Sequence, residues 1–467
     1  MSSKVNKNSS NLTEGPIQQS LIRMTMPMII GMIMLFTFSL VDTLFISFLG
    51  TEPLTAISFT FPLTFMIMSL AIGLGIGASA VVGKCMGRAE LERAKQAATV
   101  INYISFTLAV ITVAICWFFM DGLFGLMGAT PELMIPIREY MEVWFLGSVL
   151  VVCIMTGNSV LRATGDTKTP SLLMAAAGLI NAILDPLLIF GWGPFPELGI
   201  QGAAWATVIA WSCGFFYLTY LLAYKLEMIS RTIPSKAVFM SSGADMLRIG
   251  IPAAGANMLT PVAAGIMTAI AAGYGYTAVA AFGVGARLEP IATLIILAMS
   301  SSLPPFISQN YGANRVDRIE EAYVLSLKFI MVWQLFVYAV LALGAGMIAS
   351  IFSDDAEVIR GIKLFLWIMP LGYGFQGIII LTNSSLNALH KPLSALYLSF
   401  ARFFVFYVPL AYVGSMYYGL PGFFAGAVIG NFAMAAISWR TFHKALLGEH
   451  SLQEILSKES VSKPEPS

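Results

Sequence analysis

The sequence predicts an all-α polytopic membrane protein, and its composition, its long apolar runs and an internal repeat support this fold class. Only 11% of the 467 residues are charged and 57% are hydrophobic, with a mean hydropathy of +0.80. A soluble domain has about a quarter charged residues, because its surface faces water. Uncharged runs such as 101–120 can cross about 30 Å of hydrocarbon at about 1.5 Å per residue. Lipid offers the backbone no hydrogen-bond partner, so these runs are helices.

Turn and charge signals divide the chain into twelve predicted spans. They lie near 20–49, 54–82, 94–120, 134–161, 169–190, 199–224, 247–272, 279–308, 319–350, 358–387, 393–417 and 420–445. We therefore expect a polar N-terminus (1–19), an N-lobe (20–224), a linker (225–246), a C-lobe (247–445) and a polar tail (446–467).

The distribution of basic residues predicts the orientation. Lys84, Arg162 and Arg315 lie on one side of the predicted membrane, whereas Glu52 and Asp354 lie on the other. By the positive-inside rule, the linker and both termini are cytoplasmic, and we expect a multi-pass protein of the plasma (inner) membrane. The first twenty residues are polar, so no cleavable signal peptide is expected.

Scattered cysteines and histidines argue against an enzyme or a metal site. The four cysteines and three histidines show no metal-ligand spacing and no catalytic arrangement. The net charge of +1 gives no sign of a nucleic-acid partner. We expect no cofactor and no bound metal.

The chain matches itself at an offset of 225 residues. Residues 158–163 (Asn-Ser-x-Leu-x-Ala) return at 383–388, and after a short deletion the pattern Gly-x-x-Gly at 199–202 returns at 419–422. A register that continues through helices and loops indicates a duplication rather than chance similarity between apolar helices. Six spans per copy give both halves the same topology. We therefore expect twelve transmembrane helices in two homologous six-helix lobes around a central cleft.

At these motifs the chain resembles the multidrug and toxic compound extrusion (MATE) family, over residues 15–445. The matching pieces are Pro27, residues 41–43 (Val-Asp-Thr), the loops 83–87 and 309–313, residues 161–168, residues 181–186 and residues 199–204. The resemblance implies a secondary-active exporter of amphipathic, often cationic compounds, driven by inward flow of H⁺ or Na⁺.

The distribution of acids distinguishes between branches of that family. The norfloxacin-resistance branch has further carboxylates on the first and fourth spans of its second lobe. Here the seventh span has only Asp245, at its cytoplasmic end, and the matching position of the tenth span is the amide Gln376. The chain is therefore more similar to the DNA-damage-inducible (DinF-like) branch, whose paired aspartates lie in the amino-terminal lobe.

Asp42 and Asp185 are the candidate coupling residues. A carboxylate in a membrane helix is costly, so it tends to face a cavity and to serve function. Asp42 lies about seven residues, and Asp185 about five, before the outer end of its span, which puts both roughly 8–10 Å below the outer surface. Carboxylates at one depth in apolar surroundings are expected to take up protons near neutral pH and to influence each other. Alternatively, each only hydrogen-bonds a broken helix, as Pro186 would allow.

Four polar residues are candidates for a supporting network. Asn181 lies one helical turn from Asp185, and Tyr140 and Thr207 are predicted at a similar depth. Asn158 also matches a family position, although a straight helix would put it near the cytoplasmic end. The alternative for each is a routine interhelical hydrogen bond.

The second lobe lacks equivalent acids, since Asp42 maps onto Met267, so we expect coupling chemistry in the first lobe. Glu289 and Arg287 form a candidate charged pair. Residues two apart on a helix do not face one another, which favours separate structural partners over a coupling role. Arg402, within the eleventh span, is open to either interpretation.

Two further sets concern bending and cargo. Pro27 and Gly31 permit the first span to bend, because they weaken its backbone hydrogen bonds. Met34, Phe38 and Phe61 are candidates for a substrate cavity, since methionine-rich and aromatic surfaces adapt to varied ligands.

Together these features predict a secondary-active multidrug efflux antiporter, not an enzyme, that exchanges amphipathic or cationic compounds for H⁺ through protonation of the N-lobe aspartates. Its partners would be small-molecule drugs and membrane lipids, and a monomer is expected. Two alternatives stay open: a Na⁺-coupled drug exporter and a flippase of lipid-linked precursors. The flippase would need an arginine-lined cavity to hold pyrophosphate, for which the central spans offer mainly Arg287.

Overall fold

The computed structural model describes residues 12–230 and 234–461, and these ranges are helical apart from short connections. The first seven helices are α1 (Ile17–Ser47), α2 (Thr51–Gly87), α3 (Leu91–Phe118), α4 (Met120–Leu126), α5 (Pro131–Ala163), α6 (Lys168–Ile189) and α7 (Ile200–Tyr220), followed by a π-helical turn, Leu221–Lys225. The others are α8 (Lys236–Ala272), α9 (Tyr276–Ala292), α10 (Leu294–Gly312), α11 (Val316–Leu343), α12 (Ala345–Phe352), α13 (Ala356–Ile368), α14 (Tyr373–Ala388), α15 (Pro392–Ala401) and α16 (Val408–Val461). A 3₁₀ turn (Met369–Gly372) and a π-helical turn (Arg402–Tyr407) join α13 to α14 and α15 to α16.

Within the described residues the helices provide twelve membrane spans. Ten segments are long and apolar enough to cross a membrane, and the bent pair α9 and α10 supplies an eleventh. The last of the ten, Pro392–Glu449, contains two spans, because Gly419 (φ 59°, ψ −143°) interrupts the helix. A Cβ atom on Gly414 would lie 2.9 Å from the carbonyl carbon of Gly422, so the two parts fold back on each other. The predicted all-α fold class is confirmed.

The duplication is visible in the backbone. Helices α3 and α11 begin and end 225 residues apart, at Leu91–Phe118 and Val316–Leu343. Left-handed backbone conformations recur in the same way, in the pairs Gly50 and Gly275, Ala89 and Asn314, Gly165 and His390, and Gly199 and Gly419. Two copies of one six-span pattern therefore adopt the same local structure.

The bend between α9 and α10 has an identifiable cause. The two helices meet at 44°, on either side of Thr293. Pro290 removes one backbone N–H from the last turn of α9. Buried Gln334 of α11 donates from Nε2 to the carbonyl oxygen of Ala292 (3.1 Å), which satisfies a group that the break would otherwise leave unpaired.

Contacts divide the chain into two compact units. Unit 1 comprises Ile22–Gly255, with Leu12, and unit 2 comprises Thr13–Leu21 and the chain from Ala256 onward. The boundary falls inside α8, because its first half packs against α2 within unit 1. A Cβ atom on Gly77 would lie 2.5 Å from the carbonyl oxygen of Met246.

Two predicted segment boundaries differ from the helices. Part of the segment 225–246, expected to be a linker, belongs to α8, which begins at Lys236. The reason is a local helix start at Ser235, whose Oγ accepts the backbone N–H of Val238 (3.4 Å). At the other end α16 continues beyond residue 446, and Glu449 forms an ion pair with Lys391 (2.9 Å).

The packing of α2 on α8 leads to a stability prediction. A Cβ atom on Gly73 would meet Ala254 Cβ at 2.6 Å, so Gly73→Val forces two backbones apart and should cost about 1–3 kcal/mol. Gly265→Val in α8 is the matched control, since nothing lies within 4 Å of its Cβ position. We expect the thermal midpoint in detergent to fall for Gly73→Val only, and equal midpoints would contradict this packing.

Candidate functional site

The tight connection between α6 and α7 positions one end of the site. The backbone N–H of Leu198 donates to the carbonyl oxygen of Leu188 (3.0 Å). A Cβ atom on Gly202 would lie 2.5 Å from the carbonyl carbon of Leu188, so the first turn of α7 packs directly on the last turn of α6. Asp185 lies in that last turn, beside α7.

Asn181 connects α6 to α7 by hydrogen bonds. Its Nδ2 donates to Asp185 Oδ1 (3.3 Å) and to Thr207 Oγ1 (3.2 Å). Asp185 is fully buried, and Asn181 and Thr207 are half-buried. The structure therefore brings together three of the residues that the sequence predicts for this site.

Asp42 of α1 lies beside Asp185. The two carboxyl groups are close enough for one to hydrogen-bond the other. Asp42 Oδ1 and Asp185 Oδ2 are buried, and no described residue donates to either atom. Two ionised carboxylates have no proton to donate, whereas a protonated carboxyl group donates to its ionised neighbour. The pair can therefore hold one shared proton.

Tyr140 of α5 completes the surroundings of the carboxyl pair. It lies near enough for the charges of Asp42 and Asp185 to act on its hydroxyl group. Its ring packs against the cluster that contains Ala204 and Val208 of α7. Tyr140 thus separates the carboxyl pair from part of the apolar interior.

A mainly apolar cavity of about 240 Å³ opens next to Asp42 within unit 1. Each of four helices contributes side chains spaced i, i+3, i+4 and i+7, which is one helical face over two turns. These residues are Leu35, Phe38, Ser39 and Asp42 of α1; Val151, Ile154, Met155 and Asn158 of α5; Met174, Ala177, Gly178 and Asn181 of α6; and Thr207, Ala210, Trp211 and Gly214 of α7. The polar lining includes Asp42, Asn158, Asn181 and Thr207 in otherwise apolar surroundings.

An apolar cluster covers the carboxyl pair on the side away from the cavity residues of α1. Ile46, Ile189 and Ala203 are buried together, and Phe45 contacts Phe190 edge-to-face with ring centroids 6.3 Å apart. Ile46 and Ile189 each follow one of the two aspartates by one helical turn. The cluster excludes water from one side of the pair.

The other sequence-predicted residues of unit 1 have varied positions. Phe38 lines the cavity and packs on Gly178, whereas Met34 and Phe61 are exposed and do not line it. Gly31 lies where α1 closely approaches Ser171 of α6, since a Cβ atom there would meet Ser171 Cβ at 3.0 Å.

Sequence reasoning missed most of the apolar lining. Trp211, Met155 and Met174 carry no individual signal in an apolar sequence. They do lie at helical spacing from Thr207, Asn158 and Asn181, so extending one face through each predicted polar residue would have found them.

The charged pair predicted in unit 2 has separate surroundings. Glu289 Oε1 accepts a hydrogen bond from Gln376 Nε2 (2.7 Å), and Arg287 is exposed. Separate positions for the two side chains agree with their spacing on the helix.

Comparison with known proteins identifies one family model that matches the chain twice. The MatE model matches residues 27–187 and again 252–413, and the two matches begin 225 residues apart. The chain is 41% identical over 428 residues to a FAD transporter of Shewanella oneidensis, covering 92% of this chain and 95% of the relative. It is 25% identical over 413 residues to the multidrug export protein MepA of Staphylococcus aureus, covering 88% and 90%.

A solved structure agrees with the same fold. The MATE transporter VcmN of Vibrio cholerae, in the bent form, matches with a TM-score of 0.88 at 33% identity, over 93% of this chain and 98% of that one.

The site geometry predicts selective chemical modification. Dicyclohexylcarbodiimide reacts with protonated carboxyl groups in apolar surroundings. We expect it to label Asp42, which lines the cavity, in preference to fully buried Asp185. Peptide mass spectrometry measures the two yields, and Asp42→Asn is the control. Labelling should decline as the pH rises, and equal labelling of both aspartates would contradict the described access.

Proposed function

The chain belongs to the MATE family of transporters, and we propose that it is a secondary-active exporter that exchanges amphipathic, often cationic compounds for H⁺. Like other family members it is a multi-pass membrane transporter and not an enzyme. The observation that carries the proposal is the pair of facing carboxyl groups, Asp42 and Asp185, each with a buried oxygen that no described residue donates to.

The chemistry of exchange follows from the position of this pair beside the cavity. When both carboxyl groups are ionised they repel each other in surroundings of low dielectric constant, and a cationic compound in the cavity is attracted to them. Uptake of a proton removes negative charge and allows one carboxyl group to donate to the other. Bound cation is then less stable, so proton uptake promotes its release.

The hydrogen bonds of Asn181 offer a route from protonation to movement. Asn181 joins Asp185 to Thr207, so a change at the carboxyl pair alters the contact of α6 with α7. Protonation also changes the surroundings of α1 through Asp42. Pro27 lies in that helix and leaves one backbone carbonyl without its helical donor, which lowers the cost of bending.

We further propose the cellular setting. The Lys and Arg distribution supports a plasma (inner) membrane protein with both termini in the cytoplasm. On this orientation the carboxyl pair lies towards the outer side, where protons driven by the membrane potential and pH gradient arrive.

Replacement of one member of the pair tests coupling. Asp42→Asn should abolish export of ethidium driven by a pH gradient in proteoliposomes, because an amide cannot exchange a proton. Asp245→Asn is the control, since Asp245 is exposed at the start of α8. The assay is run in Na⁺-free buffer and repeated with a Na⁺ gradient alone. Wild-type rates in Asp42→Asn, or transport driven only by Na⁺, would contradict the proposed proton exchange.

A second test concerns the cavity as the cargo site. A Cβ atom on Gly214 would lie 3.6 Å from Ile154 Cδ1, an ordinary contact, so Gly214→Leu adds volume to the cavity without a local clash. We expect slower ethidium export with unchanged carbodiimide labelling of Asp42. Gly265→Leu serves as control. Unchanged export in Gly214→Leu would show that cargo does not use this cavity.

A second candidate function is export of flavin adenine dinucleotide. It is favoured by identity, since the chain is 41% identical to the FAD transporter and 25% identical to MepA. Proteoliposomes offered FAD or ethidium distinguish the two candidates. Export of FAD without ethidium would replace the drug proposal, and export of both would make the flavin one cargo among several.

A further inference from the structure

A buried arginine lies in unit 2, at the start of the π-helical turn between α15 and α16. Arg402 is 8% exposed. Its Nε donates to Asn431 Oδ1 (3.2 Å), and its guanidinium carbon lies 4.8 Å from the centroid of the Phe403 ring. These contacts fix the position of the guanidinium group between α15 and α16.

Most of the hydrogen-bonding capacity of Arg402 is unused. A guanidinium group has five N–H donors, and Asn431 is the only acceptor that it reaches among the described residues. No described carboxylate comes within 4.0 Å of it. A charged group with unmade hydrogen bonds is costly in apolar surroundings. The terminal nitrogens of Arg402 are therefore suited to bind an anion.

The neighbouring acid offsets the charge of Arg402 without occupying its donors. Glu289 lies near enough for its charge to act on Arg402, but its carboxylate is held by Gln376 at 2.7 Å. The other titratable groups near Glu289 and Arg402 are the phenols of Tyr373 and Tyr407. The cluster therefore has one cation, one acid with its own donor, and neutral hydroxyl groups.

The repeat relates this cluster to the cavity of unit 1. In the 225-residue register Gln376 corresponds to Val151, and in the register of Gly199 and Gly419 Asn431 corresponds to Trp211. Val151 and Trp211 both line the unit 1 cavity. The duplicated fold therefore has polar side chains in unit 2 at positions where unit 1 has an apolar cavity wall.

Size gives an independent reason to look for a second binding group. Pockets that enclose drug-sized ligands measure roughly 300–1,000 Å³, and the unit 1 cavity measures about 240 Å³. A dinucleotide must extend beyond such a cavity. Its phosphates carry negative charge and would be disfavoured next to the carboxyl pair of unit 1.

We propose that Arg402 binds a phosphate group of the exported compound and so extends the cargo to phosphate-bearing aromatic compounds, flavin nucleotides in particular. This inference rests on the flavin export proposed above. The planar guanidinium fork matches two phosphate oxygens, and such charge-assisted bonds are short and strong. Asn431 and Phe403 position the group, and Glu289 keeps the site electrically balanced when it is empty.

The test compares three flavins that differ in phosphate content. Binding of riboflavin, FMN and FAD to the purified full-length protein is measured by quenching of flavin fluorescence, and their export is measured in proteoliposomes. Arg402→Gln should weaken binding of FMN and FAD by about 10- to 100-fold, the range for losing hydrogen bonds to a charged group, while riboflavin binds as before. Arg402→Lys keeps the charge but loses the fork, and we expect an intermediate loss. Arg287→Gln, at an exposed position, is the control.

Glu289→Gln separates a ligand site from a purely structural network. Removing the neighbouring negative charge should leave FMN and FAD binding unchanged or tighter. If the cluster only holds helices together, Arg402→Gln and Glu289→Gln should both weaken all three flavins and lower the thermal midpoint. That pattern overturns the role of Arg402.

The remaining outcomes are also decisive. Equal loss of riboflavin, FMN and FAD in Arg402→Gln overturns phosphate binding by Arg402 but leaves flavin export in place. A wild-type protein that binds riboflavin but neither nucleotide overturns the inference directly. If the wild type transports ethidium but binds no flavin, both the flavin candidate and the Arg402 inference fail, while proton-coupled drug export stands.

Discussion

The cost of placing charge in apolar surroundings governs this structure more than any other constraint. Eleven per cent of the residues are charged, and the few that lie within the spans need a partner, a proton or access to a cavity. Asp42 and Asp185 face each other beside a cavity, Glu289 has an amide donor, and Arg402 has one amide acceptor. Each unit thus concentrates its ionisable groups at one small polar site and fills the rest with close apolar packing.

Duplication has preserved the backbone while the chemistry of the two copies has diverged. The left-handed residues Gly199 and Gly419 have nearly the same backbone angles (φ 55° and 59°), because a tight reversal between two helices demands them in both copies. Side chains that do not determine the backbone were free to change. Val151 in one copy corresponds to Gln376 in the other, so unit 1 has acids beside a cavity, whereas unit 2 has a fixed guanidinium cation in a polar cluster.

Much of this could be predicted from the sequence. Spans follow from hydrophobic length, the repeat follows from matching motifs, and the triplet of Asp185, Asn181 and Thr207 follows from helical spacing and depth. The apolar wall of the cavity could not be predicted, since Trp211 resembles many other apolar residues until the neighbouring helices are in place. Met34 and Phe61 illustrate the same difficulty, because composition favours aromatic and methionine side chains without saying which helical face they occupy. The linker was misjudged in part because Ser235, a local helix start, outweighs the polar composition that follows it.

On the proposed function, the apolar cluster beside the carboxyl pair explains why proton and cargo would exclude each other. Ile46 and Ile189 each lie one helical turn beyond an aspartate and pack together with Ala203. In this structure they cover one side of the pair, so Asp42 is reached from the cavity on the other side. A proton and a cationic compound that share one approach to one pair of carboxyl groups compete for the same negative charge. Competition of this kind is sufficient for exchange, because neither species can remain bound while the other occupies the site.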